Sequence, residues 1–394
     1  MIGDPELDAN TLDARLRGHD SEPFMKILFT GGGTGGHVFP LVAIIRELRR
    51  MTSEDNLNLF YVGPKDEFAE ILLRQEDVKI YNIPGGKIRR YFAFETLIDI
   101  FYKLPIDFIK SFYLLLKIKP TLIFSKGGTG SLAVCYAGKF LKIPIFLHES
   151  DVAPGLSNRI ISQFAKKIFI SFPKTEFFDL EKTVLTGNPI RKELLEGDIE
   201  KAKELFNLTL EKPIILFWGA SLGAEFINDF VLRILNELLE KFEIIHITGK
   251  EKLKEVENES LIVINKDLEK YYHVFGFLDE EKLKAVFSAT DFIISRSGAS
   301  SIFEIAGSGK PSILVPLPSA AFNHQAKNAY AYADIGASLV IEQSNLTPNF
   351  FLDKINYLFM HPEKLEQMKT EALRFSKPLA AKSIAREIIE YLTF

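Results

Sequence analysis

The chain has 394 residues, and its 48 basic and 52 acidic side chains give a formal net charge of −4. This balance argues against nucleic acid as a main partner, because binding to a phosphate backbone depends on a surplus of lysine and arginine. The length predicts two domains, each with its own core. A single cysteine, Cys135, excludes an internal disulfide and indicates a reducing compartment.

The first 24 residues carry six acidic side chains, two arginines and few apolar residues. This composition predicts a disordered acidic tail, residues 1–24. The tail lacks the basic and apolar regions of a signal peptide. No stretch reaches the ~18 apolar residues of a membrane-spanning helix, so we expect the protein to stay in the cytosol.

Residues 25–40, MKILFTGGGTGGHVFP, predict a strand, a glycine loop and the start of a helix. Five of the six residues after Thr30 are glycine, which lets the backbone approach a ligand closely. The loop ends at a helix N-terminus, where unpaired N–H groups favour an anion. We therefore expect a diphosphate here, with Thr34 adding a hydroxyl donor.

Two other kinds of phosphate loop fit this stretch less well. The spacing Gly31, Gly33, Gly36 matches the dinucleotide fingerprint, which requires an acidic residue at the end of the next strand. That strand ends in Gly63 and Pro64 instead. A Walker A loop is excluded because no Lys-Ser or Lys-Thr pair follows the glycines.

Apolar runs alternate with helical segments from residue 26 onward, which predicts α/β domains with parallel sheets and covering helices. In the first half we expect strands at residues 57–62, 79–83, 121–124, 143–147 and 167–171. In the second half we expect strands at residues 213–217, 244–248, 273–275, 292–295 and 311–317. The turn residues of TGNPIR, residues 186–191, mark the boundary. The domains are then 25–190, completed by a last helix at 376–394, and 191–375.

Residues 87–119 combine basic side chains with eight aromatic ones. The charges exclude a membrane span and predict two amphipathic helices broken at Pro105. Some of these aromatics are explained by packing against the sheet. The alternative is a surface patch that enters a bilayer while its basic residues meet anionic head groups. We assign that patch to Lys87, Arg89, Arg90, Tyr91, Phe92 and Phe94.

Two polar stretches follow buried strands of the first half. Residues 125–131, SKGGTGS, form a second glycine loop before a helix, and residues 148–151, HESD, end the next strand. Polar groups at the carboxyl ends of parallel strands lie at the ligand crevice of such folds. His37 and Glu149 are both expected to face this crevice.

The second half contains its own loops of small residues. In GASLGA, residues 219–224, Ser221 can donate to a phosphate. In RSGASSIFE, residues 296–304, small side chains let a phosphate approach backbone N–H groups at Ala299, Ser300, Ser301, Ile302 and Phe303. Glu304 can accept from both ribose hydroxyls, although an acid early in a helix is also a common dipole partner. Gln325 and Asn328 share a helix face and can bind sugar hydroxyls, unless both amides are merely solvated.

The block GGGTGGHVFP closely resembles the first motif of the MurG-like glycosyltransferases, and further motifs follow in the family's order to about residue 390. The family adds N-acetylglucosamine to lipid I in peptidoglycan synthesis. The resemblance implies the GT-B fold, two Rossmann-like domains that face a cleft. UDP-N-acetylglucosamine is then the donor, bound mainly by the second half. The first half binds a polyprenyl-diphosphate-linked N-acetylmuramoyl peptide.

The resemblance also implies roles for particular residues. The donor set gains Asp151, Arg191 and Leu278, next to Thr34, Gly35 and Gly36. The acceptor's diphosphate is assigned to Gly32, Gly33, Lys126, Gly127, Gly128 and Thr129, although Lys126 is equally well explained as a solvated lysine. The chain departs from the common family pattern at Asp151, where many members have Asn, and at Ala220 and Leu222 in the loop of the second half.

The implied reaction is a single displacement with inversion, in which the acceptor's C4 hydroxyl needs a base. His37 is the first candidate and Glu149 the second, while His37 can instead hold the diphosphate or close its turn. The chain has no Asp-x-Asp pair, so we expect no metal cofactor, with helix N-termini stabilising the leaving group.

The resemblance places the protein at the cytoplasmic face of an anionic membrane, with cell-wall synthesis proteins as further partners. Two alternatives remain. One is a related transferase that uses another lipid-linked acceptor, and the other is a non-catalytic module that binds UDP-sugars.

Overall fold

The computed structural model describes residues 25–32, 35–86, 102–128, 130–219 and 225–393. Within these ranges the chain forms two separate parallel sheets of seven and six strands. Helices connect successive strands, so each half is built from β-α-β units.

The first sheet has the strand order β3-β2-β1-β4-β5-β6-β7. Its strands are β1 (Met25–Thr30), β2 (Leu57–Pro64), β3 (Lys79–Ile83), β4 (Leu122–Ser125), β5 (Ile145–Glu149), β6 (Lys167–Ile170) and β7 (Thr183–Leu185). The helices of this half are α1 (Gly35–Met51), α2 (Glu67–Gln75), α3 (Leu104–Ile118), α4 (Ser131–Phe140) and α5 (Leu156–Ser162).

The second sheet has the order β10-β9-β8-β11-β12-β13. Its strands are β8 (Ile214–Trp218), β9 (Glu243–Ile247), β10 (Tyr272–Phe275), β11 (Phe292–Ser295), β12 (Ser312–Leu314) and β13 (Ser338–Val340). The helices are α6 (Ile199–Phe206), α7 (Glu225–Arg233), α8 (Leu235–Leu239), α9 (Leu253–Val263), α10 (Glu280–Ala289), α11 (Ala299–Ser308), α12 (His324–Ala333), α13 (Pro348–Met360), α14 (Pro362–Phe375) and α15 (Ala380–Thr393).

Both sheets reverse their strand order beside the first strand of the half. β1 pairs with β2 on one side and β4 on the other, and β8 pairs with β9 and β11 in the same way. The loops after such strands diverge and leave a crevice at the carboxyl ends of the strands. Two predicted glycine loops follow β1 and β4, and the RSGASSIFE stretch follows β11, so topology directs these three stretches toward crevices. Residues 220–224 of the glycine loop predicted after β8 lie outside the described ranges.

The last helix packs on the first sheet. Ala381, Ile384, Ala385, Ile388 and Ile389 of α15 are buried in one apolar cluster with residues of β1 and α1. The chain therefore crosses back from the second half, and α15 completes the apolar core of the first half.

Several predicted elements differ from the structure. The short strands β7 and β13 were not predicted, because three residues give too little periodicity to detect. The helical segment that follows β13 is divided into α13 and α14, because Pro362 starts a new first turn. The helical segment that follows β8 is likewise divided, into α7 and α8. Pro105 lies in the first turn of α3, and residues 87–101 lie outside the described ranges.

Candidate active site between the two sheets

The two glycine loops of the first half lie against each other next to β1, where the strand order of the first sheet reverses. A Cβ atom on Gly128 would lie 2.9 Å from the Cα atom of Gly32, so a side chain there would collide with backbone. Gly127 and Gly128 also have φ values of +81° and +83°, a conformation that favours glycine. The Nε2 atom of His37 would lie 3.1 Å from the same Cβ. The glycines therefore bring both loops and the imidazole of His37 together.

Lys126 is buried among polar side chains of the first half. It is 2% exposed, which shows that the interpretation as a solvated lysine was wrong. Its ammonium contacts Nδ1 of His148 at 2.7 Å and donates to the hydroxyl of Ser150 and to Oδ1 of Asn188. Burial lowers the pKa of Lys126 to about 8, while the carboxylates of Glu149 and Asp151 oppose that shift. The lysine thus remains largely charged near neutral pH.

His148 contacts both the second glycine loop and residues 186–191, the boundary between the two halves. Its Nδ1 faces the ammonium of Lys126, so Nδ1 accepts and Nε2 carries the proton that is donated to the carbonyl of Gly187 at 3.3 Å. Burial and the nearby Lys126 charge hold the pKa of His148 well below its usual value. A neutral imidazole therefore fixes the lysine relative to residues 186–191.

Glu149 ends β5 with its carboxylate held in a fixed position. Oε1 accepts from the backbone N–H of Asp151 at 2.9 Å, and Oε2 accepts from Nδ2 of Asn158 at 2.8 Å. Glu149 is 3% exposed. Burial, with the neighbouring Asp151 carboxylate, raises its pKa to about 7. At that pKa the group can accept a proton at neutral pH and is a stronger base than an ordinary carboxylate.

His37 lies in the first turn of α1, near the same charges. Burial, with the charge of Lys126, lowers its pKa to about 4, and the charge of Asp151 opposes the shift. The imidazole is therefore neutral at physiological pH. It can donate or accept a hydrogen bond, but it is the weaker of the two candidate bases.

The N-terminus of α11 brings the donor stretch of the second half to the cleft. Its residues Ala299, Ser301, Ile302, Phe303 and Glu304 are buried. The hydroxyl of Ser300 donates to the carbonyl of Gly36 at 3.4 Å. Pro40 has no N–H to bond that carbonyl within α1, so the proline leaves it available to the second half. This bond is one direct tie between the two predicted phosphate loops.

Arg191 and Glu304 form a buried ion pair beside α1. Nε and Nη2 of Arg191 donate to Oε1 of Glu304 at 3.0 and 2.9 Å. The guanidinium also lies 4.0 Å from the ring centroid of Phe39. Burial raises the pKa of Glu304, and the Arg191 charge opposes that rise. Both hydrogen bonds from Arg191 end on Oε1 of Glu304. The predicted contact of Glu304 with ribose would therefore be made by a side chain that also forms a structural ion pair.

Leu278, the predicted uracil contact, lines a small pocket between the halves. Phe39 of the first half and Arg191, Trp218 and Phe277 line the same pocket, whose volume is about 40 Å³. Leu278 itself is buried. The predicted donor residues Leu278, Arg191 and Glu304 therefore lie together beside Phe39.

The two amides of α12 have definite partners. Asn328 is fully buried, so a solvated amide is excluded for it. Its Nδ2 donates to Oδ1 of Asp151 at 2.7 Å, and its Oδ1 accepts from the N–H of Val152 at 2.9 Å. Oε1 of Gln325 accepts from the N–H of Leu317 at 3.0 Å. Asn328 therefore bridges the halves, while Gln325 also orders the loop before α12.

A cavity of about 550 Å³ lies where these groups meet. It is lined by His37, Lys126, Gly128, Glu149 and Asp151 from the first half, and His324 and Phe322 of the second half form part of its wall. A volume of this size suits a small-molecule substrate. Both candidate bases face it.

Some predicted site residues lie outside the part of the chain that the structure describes. They are Gly33, Thr34, Thr129 and Ser221, together with the membrane-patch residues Lys87, Arg89, Arg90, Tyr91, Phe92 and Phe94. Gly35 begins α1 next to Gly36.

Sequence reasoning missed two polar residues that organise the site. Asn188 accepts from Lys126 and Ser150 through Oδ1 and donates to Ser300 through Nδ2 at 3.3 Å, so it links both halves. Asn158 holds the carboxylate of Glu149. Asn188 lies within TGNPIR, residues 186–191, whose turn pattern predicted a domain boundary but gave no signal that the Asn188 amide has a role in the site.

Across the described ranges, no group of three or more His, Cys, Asp or Glu side chains is arranged to hold a metal ion.

The comparisons with known proteins agree with this geometry. Residues 27–170 match the glycosyltransferase family 28 N-terminal domain, and residues 214–385 match the glycosyltransferase family 28 C-terminal domain.

Two curated relatives carry the name UDP-N-acetylglucosamine–N-acetylmuramyl-(pentapeptide) pyrophosphoryl-undecaprenol N-acetylglucosamine transferase. The protein of Clostridium tetani is 38% identical, over 89% of this chain and 94% of its own length. One from Bacillus anthracis, numbered 2, is 37% identical, over 93% of this chain and 99% of its own length.

Solved structures share the two-domain fold. The crystal structure of Acinetobacter baumannii MurG superposes with a TM-score of 0.71 and 25% identity, covering 93% of this chain and 99% of that one. A Neisseria meningitidis UDP-GlcNAc 2-epimerase bound to UDP-GlcNAc has a TM-score of 0.67 at 16% identity, covering 93% and 100%, which shows the fold alone. The predicted GT-B fold is confirmed. This chain belongs to glycosyltransferase family 28 and, within it, to the MurG family.

Proposed function

We propose that the chain transfers N-acetylglucosamine from UDP-N-acetylglucosamine to the C4 hydroxyl of an N-acetylmuramyl-(pentapeptide) carried on a polyprenyl diphosphate. The observation that supports this most directly is the cavity in which Glu149, His37 and Lys126 face residues of the second half. The names of relatives at 37–38% identity supply the substrates. Transfer between two such substrates needs a base, a cation for the diphosphate and a donor site across the cleft, and we assign these roles to Glu149, to Lys126 and to the second half.

Glu149 is the base in this proposal. Its pKa of about 7 lets it take the proton of the acceptor hydroxyl at neutral pH as that oxygen attacks the anomeric carbon. The hydrogen bonds from Asp151 and Asn158 hold the carboxylate while leaving each oxygen a further lone pair. The attack displaces UDP from the opposite face of the sugar and inverts the anomeric carbon.

His37 and Lys126 bind the acceptor's diphosphate. The neutral imidazole of His37 donates a hydrogen bond, and Lys126 supplies the positive charge beside Gly127 and Gly128. The ammonium is already fixed by His148 and Asn188. Such preorganised groups stabilise charge without a reorganisation cost at the moment of reaction.

The donor lies on the second half, with its leaving diphosphate at the N-terminus of α11. Unpaired N–H groups at a helix start stabilise the negative charge that develops on UDP. Leu278, Arg191 and Glu304 surround the nucleoside, and Gln325 and Asn328 approach the sugar. The acceptor domain is 25–190 with 376–394, and the donor domain is 191–375.

The acceptor's lipid requires the enzyme at the cytoplasmic face of an anionic membrane, bound peripherally. In the described ranges, no helix is long and apolar enough to cross a bilayer. Helix α3 instead exposes an apolar stripe to solvent, formed by Tyr102, Ile106, Ile109, Tyr113 and Leu116. Exposed lysines at positions 103, 110 and 117 lie along one flank of this stripe.

The opposite face of α3 is buried and partly polar. Asp107 accepts from the N–H groups of Gly85 and Gly86 at 3.1 and 2.7 Å, and Ser111 is buried on the same face. A surface helix normally turns its apolar side inward. Helix α3 buries Leu115 and Ile118 but also keeps a second apolar stripe exposed, which supports insertion of that stripe among lipid head groups, with cationic side chains beside it.

Incubation of the purified protein with labelled UDP-N-acetylglucosamine and a lipid I analogue tests the proposal. We expect a labelled disaccharide lipid and free UDP. Transfer only to a diacylglycerol or another polyprenyl-linked sugar would assign a different acceptor. UDP-sugar binding without transfer to any acceptor would show a binding module instead.

A further inference from the structure

A second, apolar groove lies next to the cavity that Glu149 lines. It lies between α3 and α4, is lined by Leu104, Phe108, Leu132, Ala133 and Tyr136, and has a volume of about 300 Å³. Its lining side chains are all apolar or aromatic. A groove of this composition suits a hydrocarbon chain and offers little to a sugar or a peptide.

The groove and the cavity share a boundary. Leu104 and Leu132 line both of them. A Cβ on Gly86 would lie 3.1 Å from Leu104, so glycine at this position lets the preceding loop lie close against the start of α3. A molecule whose polar end lies at Gly128 can therefore extend past Leu104 and Leu132 into the groove without contacting a layer of polar side chains.

At its other side the groove is continuous with exposed apolar surface. The ring of Phe108 meets that of Phe140 edge-on, with centroids 5.7 Å apart. Phe140 is 68% exposed. The apolar path thus runs from the acceptor cavity to the exterior on the half that carries the α3 stripe.

We infer that this groove binds the first isoprene units of a polyprenyl diphosphate, between its diphosphate at Lys126 and Gly128 and the membrane. The inference rests on the proposed function for the identity of the acceptor. It adds a subsite that contacts the lipid chain itself, next to the diphosphate, in addition to any contact with the bilayer surface. The continuity of the groove with the acceptor cavity is the reason to assign an isoprenoid and not a second protein.

Binding of a soluble probe tests the groove separately from transfer. Farnesyl diphosphate carries the isoprenoid and the diphosphate without sugar or peptide, and inorganic diphosphate carries the polar part alone. We expect calorimetry to show farnesyl diphosphate binding at least about tenfold more tightly, since even small apolar groups in a fitted pocket change affinity by that factor. Equal affinity for the two probes would overturn the inference.

The variant Ala133→Phe fills the groove from α4. We expect it to lose the preference for farnesyl diphosphate while it still binds inorganic diphosphate. Retained binding of inorganic diphosphate shows that the first half of the variant is folded, because the diphosphate site at Lys126 and Gly128 lies on the same half as Ala133. Gln163→Phe, an exposed position on the same half that does not line the groove, is the matched control and should behave like the parent. Retention of the preference by Ala133→Phe would also overturn the inference.

The two proposals fail in different ways. If the protein transfers N-acetylglucosamine but Ala133→Phe leaves the preference for farnesyl diphosphate intact, the groove assignment is wrong and the activity stands. If the preference depends on Ala133 but no acceptor is glycosylated, the groove is an isoprenoid site and the proposed activity is wrong.

Discussion

Asn328 of the second half donates to the carboxylate of Asp151 in the first half, with 2.7 Å between Nδ2 and Oδ1. The same amide accepts from the N–H of Val152, so both ends of Asn328 are bonded to the first half. The sequence assigns Asp151 and Asn328 separately to the donor site. Their hydrogen bond connects the two halves across the cleft, next to Glu149. The charge of Asp151 also helps to raise the pKa of Glu149.

The first prediction concerns the pH dependence of transfer. A base must be deprotonated, so activity should be lost as the pH falls through its pKa. With Glu149 as the base, kcat/KM should rise with pH on an acidic limb near 7. Were His37 the base, the limb would lie near 4. A pH–rate profile with a soluble acceptor separates the two.

Substitution provides the control for that profile. Glu149→Gln keeps the shape of the side chain but cannot accept the proton, so turnover should fall by about 10²–10⁴ and the limb near neutral pH should disappear. His37→Ala should instead weaken acceptor binding and retain the limb. Near-normal turnover in Glu149→Gln would remove Glu149 from the base role.

The second prediction uses Asp151 to shift that limb. Asp151→Asn removes a negative charge that disfavours the Glu149 carboxylate, so the pKa of Glu149 should fall and the acidic limb should move to lower pH. The asparagine oxygen can still accept from Asn328, and the backbone N–H that holds Glu149 is unchanged. An unmoved limb in the profile of this variant would show that the two groups are not coupled in solution.

The third prediction concerns the buried pair of Arg191 and Glu304. Glu304→Ala leaves the guanidinium unpaired in a buried position, which should lower the free energy of unfolding by about 3–5 kcal/mol. Chemical denaturation measures this loss. The double variant Arg191→Met with Glu304→Leu should recover much of the stability, because no charge is left unpaired.

UDP binding distinguishes a structural role from a functional one in the same variants. If Glu304 or Arg191 also contacts the nucleoside, the stabilised double variant should still bind UDP poorly. Gln325→Ala should weaken UDP-N-acetylglucosamine but spare UDP, since only the sugar is expected to reach α12. Full UDP affinity in the double variant would confine Glu304 to stabilising the fold.

The fold could be predicted from sequence because its signals are local. A parallel strand buried on both faces is a continuous apolar run, and the glycine loops mark the turns into the helices. The three-residue strands β7 and β13 give no such signal and depend on their neighbours in the sheet. The approximate position of the site followed in the same way from the loops at the carboxyl ends of the strands.

The partners of the site residues could not be predicted. Asn188 and Ser300 are 112 positions apart, and their contact exists only because two sheets face each other. The partners of Lys126 are also distant in sequence, since His148 of β5 and Asn188 lie 22 and 62 positions from it. Motifs identify which residues approach a ligand, whereas long-range packing decides which of them are already paired.

The last prediction concerns the apolar stripe of α3 and the lysines beside it. Each cationic side chain near an anionic surface contributes about 1 kcal/mol, and salt screens this attraction. Lys110→Glu with Lys117→Glu should therefore strongly reduce co-sedimentation with vesicles that contain anionic lipid. Activity on a short-chain soluble acceptor should persist, because neither lysine lines the cavity.

Two further variants sharpen the membrane test. Lys254→Glu with Lys266→Glu makes the same charge change at exposed positions of the second half and should sediment like the parent. Ile109→Glu places a charge in the centre of the stripe and should weaken binding even at high salt, where the lysines no longer contribute. If the reversal on α3 has no more effect than the control reversal, and Ile109→Glu binds normally, α3 does not face the membrane and docking must use another surface.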